Sequence, residues 1–188
     1  MTDKLLEHKK TGDAGVYALF SKDRQENTWR EALKHVRESM LDINRQLFGE
    51  SELLKQADEF IETRLDQASE VLEDLGRLCS HGHFAISEHL STVREMLASL
   101  GEAHSAWNMA HLLKRDGVNA VFVDLTGWNA STHMSLDDRV LDSFKDVDLA
   151  TQLPIATGYA HSETGLMTTF DRGYSEMTFS RIAVLTEA

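Results

Sequence analysis

Proline and cysteine are almost missing from this 188-residue chain, which has one of each, Pro154 and Cys79. A lone cysteine cannot close an internal disulfide, so a reducing compartment, the cytoplasm, is expected. One proline and 11 glycines argue against a turn-dense, all-strand architecture and favour long helices. No apolar run approaches the roughly 18 residues of a membrane span, and Met1-Thr2-Asp3-Lys4 does not open a signal peptide. Basic residues are also short: 19 Lys and Arg against 31 Asp and Glu leave a net charge of −12. Such a balance repels phosphates, which argues against nucleic acid or an anionic membrane as partner. With 41% hydrophobic residues the chain can bury one sizeable core, and a single domain is expected.

What is present is helical periodicity. Leu53, Leu54, Ala57, Phe60, Ile61, Leu65, Ala68, Val71, Leu72, Leu75 and Leu78 recur at three- and four-residue steps, with charges on the other face. This predicts a helix over 53–78. A preceding helix over 29–47 would pair with it across Phe48-Gly49-Glu50-Ser51, with Ser51 as N-cap. A third helix is expected over 86–100 with Gly101 as its stop, and a fourth from Glu102 to near Gly117. Beyond Gly117 short β-type runs begin. Strands are expected at 120–123, 153–157 and 166–169, with a helix over 136–144 and a last one over 175–188 capped by Ser175. The fold class is therefore α/β: a helix-rich part, 23–117, feeds a strand–helix part, 118–188, with no repeat and no linker between them.

Two stretches carry chemistry, Ser99-Leu-Gly-Glu102-Ala-His-Ser105 and Thr168-Thr169-Phe-Asp-Arg172-Gly-Tyr174-Ser175-Glu176. A carboxylate to grip an ammonium and an arginine fork to grip a carboxylate make a minimal amino-acid receptor. Taken alone, Glu102 reads more readily as a first-turn acid favoured by the helix dipole, and Arg172 as a surface residue in a polar turn. Cys79, His81, His83 and His89 invite a metal reading, but their spacing fits no standard zinc pattern, and no metal site is expected. His104 and Trp107 read as core or pocket wall. The leucine stripe at 53–78 reads as core or hairpin seam, with a homodimer contact as its other use.

Gly-Glu-x-x-Ser opening a helix, followed after a strand by Thr-Thr-x-x-Arg-Gly-x-Ser-acid, resembles the aspartokinase branch of the amino-acid kinases. The likeness is closest to the aspartokinases of ectoine biosynthesis, at residues 6–12 (Leu-Glu-His-Lys-Lys-Thr-Gly), 98–105 and 170–176. It covers nearly the whole chain, and the order and spacing of the motifs make it specific. The resemblance implies a three-layer αβα amino-acid-kinase fold, here partial and carrying a long helical hairpin. It implies transfer of the γ-phosphoryl group of ATP to the side-chain carboxylate of L-aspartate, the first step of the aspartate pathway, with ectoine as one destination. Such a reaction needs mainly positioning and charge neutralisation, with Mg²⁺ bridging the phosphates. Residue by residue, Glu102 matches the glutamate that contacts aspartate, and Arg172 the arginine that holds a substrate carboxylate. Thr169 and Glu176 match residues lining the same pocket, and Ser105 and Ser175 are further motif serines.

Departures from the pattern accompany the likeness. The usual Gly-Arg-Gly-Gly-Ser-Asp reads Asp171-Arg172-Gly173-Tyr174-Ser175-Glu176 here, so Tyr174 stands where a glycine is usual. The family's opening Lys-x-Gly-Gly-Thr-Ser has no counterpart, nor is there another glycine-rich phosphate cradle. The chain thus reads as an internal, incomplete aspartokinase catalytic domain that carries the aspartate half of the site and no catalytic group of its own. ATP and Mg²⁺ are expected in the complete enzyme and not with this piece alone. The alternative is a non-catalytic helical interaction or oligomerisation module in which the 29–78 hairpin does the work.

Overall fold

A computed structural model describes residues 1–8, 11–128, 133–170 and 173–187. The chain divides into two compact units, Met1–Gly101 and Glu102–Ala188. In the first unit, helices α1 (Thr2–Leu5) and α2 (Val16–Lys22) precede two long helices, α3 (Thr28–Phe48) and α4 (Glu52–Leu78). Helix α5 (Leu90–Arg115) begins in the first unit and continues into the second. The second unit adds strand β1 (Ala120–Val123), α6 (Leu136–Phe144), strand β2 (Leu153–Ala156), α7 (Leu166–Phe170) and α8 (Tyr174–Thr186).

The α3–α4 hairpin follows the apolar periodicity. Trp29, Leu33, Val36, Met40 and Phe48 bury one stripe of α3, and Leu54, Ala57, Ile61, Leu65, Ala68 and Leu72 one stripe of α4. Gly49, at φ +57°, makes the turn that L side chains rarely adopt. Ser51 caps α4, its Oγ accepting from the Leu54 amide at 3.2 Å. The polar contacts fix an antiparallel register: Arg30 reaches Glu73, Arg37 reaches Glu62 and Asp66, and Asn44 reaches Asp58. At the open end Trp29 is fully buried, with the Phe20 ring edge-on at 5.5 Å and Arg30 over its face at 4.3 Å.

Three expected elements differ. The break at Gly101 does not occur: α5 runs through it unbroken, and residues 86–88 form a 3₁₀ turn ahead of the helix. A glycine stop works through a positive φ, and Gly101 is not among the glycines that adopt one. Its bare Cα instead admits Thr2, whose Oγ1 would lie 3.3 Å from an added Cβ. Residues 166–169 are helical, not a strand, because Gly165 at φ +73° turns the chain and the Thr169 hydroxyl bonds back to its carbonyl. Helix α8 starts at Tyr174 rather than after Ser175. Gly173, at φ +86°, is the N-cap and no side chain caps the helix, so Ser175 lies inside the first turn.

The second unit is built on a parallel pair, β1 beside β2, in register from Ala120↔Leu153 to Val123↔Ala156. Helix α6 lies between them in sequence and is capped by Ser135, whose Oγ accepts from the Asp138 amide. The described residues thus form a helix-rich α/β structure with one two-stranded parallel sheet. Among them, no helix is long and apolar enough to cross a membrane.

Candidate functional site

Beyond the carboxyl end of β2 the chain makes a locked turn, Thr157-Gly158-Tyr159. In open α/β sheets this end of the strands is where ligands collect. Thr157 is fully buried, accepts the Leu125 amide on Oγ1 at 3.1 Å and donates to the Tyr159 carbonyl at 2.7 Å. The hydroxyl thereby ties the exit of β1 to the exit of β2. The His161 amide adds a second tie, to the Leu125 carbonyl at 2.8 Å.

Gly158 sits at the centre of this turn because nothing larger fits. A Cβ there would stand 2.8 Å from Ser175 Oγ, 3.0 Å from Glu102 Oε2 and 3.2 Å from Ser175 Cβ. Contacts that short are below van der Waals separation, so the missing side chain is what lets the carboxylate and the serine close over the strand end. Glu102 reaches the turn from α5 and is half-buried. Its other oxygen, Oε1, accepts from the Tyr174 hydroxyl at 3.3 Å. The Tyr174 ring is edge-on to the buried Tyr159, with centroids 6.3 Å apart at 71°.

The residues expected from sequence separate into groups. Glu102 and Ser175 are brought together at Gly158. Glu176 is exposed in the first turn of α8, with Oε2 3.8 Å from the point where Gly173 would carry a Cβ. Thr169 is exposed on α7, and its hydroxyl donates to the Gly165 carbonyl at 2.8 Å. Ser105 is exposed on α5. Arg172 lies outside the described residues. His104 and Trp107 are buried on α5: His104 Nε2 lies 3.0 Å from Asn108 Nδ2, and Trp107 stacks on His111 at 3.7 Å.

Helix α8, which delivers Tyr174 and Ser175, is anchored on α6. Arg181 grips Asp137 with two prongs, Nε to Oδ1 at 2.7 Å and Nη2 to Oδ2. The hydrogen bond from Arg181 holds the Asp137 carboxyl below its ordinary value of 3.8, and the same bond raises Arg181. Among the described residues no three His, Cys, Asp or Glu side chains are grouped to hold a metal ion.

Sequence reasoning passed over Thr157, Gly158 and Tyr159. Their signal was weak: a glycine two residues past a short strand, with no motif around it. Tyr174 stood out merely as a departure from a pattern, and its hydroxyl on Glu102 gives that departure a use.

No protein-family model matches the chain. No solved structure matches it either. Over all 188 of its residues the sequence is 52% identical to Aspartate kinase Ask_Ect of Stutzerimonas stutzeri (strain A1501), and it spans 40% of that protein's length.

Proposed function

We propose that this chain, which belongs to the aspartate kinase family and spans 40% of its curated relative, carries the aspartate-binding half of a phosphoryl-transfer site. The reaction is transfer of the γ-phosphoryl group of ATP to the side-chain carboxylate of L-aspartate. The observation that carries this reading is the meeting of Glu102, Gly158 and Ser175 at the carboxyl end of β2. Three positions far apart in sequence converge on one strand end, and two of them lie in the motifs that resemble aspartokinases.

In this reading Glu102 accepts the substrate ammonium, and the Ser175 hydroxyl hydrogen-bonds a substrate oxygen. Arg172, two residues before Tyr174, supplies the two-pronged grip on a carboxylate, as an arginine does best. Thr169, Glu176 and Ser105 complete the surroundings from α7, α8 and α5. Holding the acceptor carboxylate in place turns a two-body encounter into a local one, the main contribution a protein makes to phosphoryl transfer. The described cluster is carboxylates and hydroxyls, a lining for an ammonium and not for a triphosphate. The proposal accordingly gives these residues no part in holding ATP or its Mg²⁺. The β1–α6–β2 unit is read as a portion of the three-layer amino-acid-kinase fold, and the protein as cytoplasmic.

Calorimetric titration of the chain with L-aspartate, beside an Arg172→Ala variant, tests the reading. Saturable heat that the variant loses is the expected result. No heat from wild-type protein with a folded circular-dichroism spectrum would overturn it.

A further inference from the structure

We propose that Tyr174 is a positioning residue: its phenol holds Oε1 of Glu102, so that the carboxylate offers its remaining lone pairs to an ammonium group. The site then selects amino acids over plain dicarboxylates. This rests on the reading of Glu102 given above and adds to it the group that aims the carboxylate.

A glutamate on a helix has three rotatable bonds, and a ligand that binds it must stop that motion unless the protein already has. Here one carboxylate oxygen is bonded, and the other lies close to Gly158, before any ligand arrives. Oε1 receives the Tyr174 hydroxyl at 3.3 Å. Oε2 lies close to Gly158, 3.0 Å from the point a Cβ would take, and Ser175 Oγ lies 2.8 Å from that same point. A carboxylate has about four acceptor sites, so one phenol leaves room for a cation.

Tyr174 is itself held. Gly173, at φ +86°, starts α8 one residue before it, and the Tyr174 carbonyl accepts from Thr178 Oγ1 at 3.0 Å. Its ring meets Tyr159, which is 2% exposed and whose carbonyl is tied to Thr157. A phenol is also the right donor for the task. It is neutral, so the glutamate keeps its full charge for the ammonium, whereas a lysine at this place would neutralise it. The 3.3 Å separation is longer than the usual O–H···O range, so the contact is a weak one.

The test is titration calorimetry of the full chain with L-aspartate and with succinate, which lacks the ammonium, on wild-type protein and Tyr174→Phe. Phenylalanine keeps the ring on Tyr159 and removes the hydroxyl alone. L-aspartate is expected to bind the variant roughly fivefold to tenfold more weakly, with the succinate isotherm unchanged. Equal L-aspartate affinity, or a parallel loss of both ligands, would overturn the positioning role. Absence of L-aspartate binding by the wild-type protein would instead overturn the reading of Glu102 beneath it. A ligand-free thermal double-mutant cycle of Tyr174→Phe with Glu102→Ala, which removes the acceptor, guards against a misfolded variant. Non-additive melting shifts are expected, and additive ones would overturn the contact itself.

Discussion

Arg181 on α8 and Asp137 on α6 form a two-pronged ion pair, with Nε donating to Oδ1 at 2.7 Å and Nη2 to Oδ2. It fixes the helix whose first turn delivers Tyr174 and Ser175. Because Asp137 is held below its ordinary 3.8, its contribution to stability is whole above that value. It is lost as pH falls through the lower folded value, where the native carboxylate takes up a proton. Asp137→Asn is therefore expected to lower the melting temperature at pH 7 and to melt with wild-type protein in strong acid. Both side chains are more than a third exposed, 35% and 43%, so the shift at pH 7 should be a few degrees at most. Melting curves across pH 2 to 7 check this, and a difference that persists undiminished at the acid end would refute it.

Gly158→Ala should harm binding more than folding. The new Cβ meets Ser175 Oγ at 2.8 Å and Glu102 Oε2 at 3.0 Å, and both are side-chain ends that can swing aside. Overpacking of this kind costs about 1–3 kcal/mol of stability, while moving Glu102 should cost the L-aspartate isotherm most of its heat. The combination to look for is a folded protein with strongly weakened binding.

Asn44 is fully buried in the hairpin seam and donates through Nδ2 to Asp58 Oδ1 at 2.9 Å. Asn44→Ala removes that donor and leaves a partly buried carboxylate without it, an expected loss of about 1–3 kcal/mol. Urea unfolding followed by circular dichroism measures it, and a loss below a few tenths of a kcal/mol would show that water replaces the amide freely.

Gly101 discriminates between a helix that ends and a helix that continues. At a left-handed stop, alanine would be strained; inside α5 it gains helix propensity and meets Thr2 Oγ1 at 3.3 Å. The two effects oppose one another, and Gly101→Ala should change stability by less than about 1 kcal/mol. A loss well beyond that in urea unfolding would mean either that Thr2 does not yield to the added methyl or that the chain breaks at Gly101.

Much of the architecture was legible because it is local. The stripe from Leu53 to Leu78 repeats over seven turns, and its charged face answers that of α3, so α4 and the hairpin follow from periodicity and the Ser51 cap. Helix α6 fell on its expected bounds, and β1 and β2 were visible as short apolar runs after turns. Short segments were not legible in the same way. Residues 166–169 have strand-type composition, yet four residues hold too little propensity to resist the turn that Gly165 imposes.

By itself the sequence determined the helix-rich α/β character, the hairpin, the strands of the parallel pair and the two motifs containing Glu102 and Ser175. It could not say that Gly101 would be passed over, because whether a glycine stops a helix depends on what packs against its bare Cα. Nor could it join Glu102 to Gly158, Ser175 and Tyr174. Those contacts have no local signature: they exist because a parallel pair brings its strand exits together and an ion pair fixes α8 beside them. Local propensity specifies elements one at a time, and the convergence of distant residues on one strand end is a property of the packed chain.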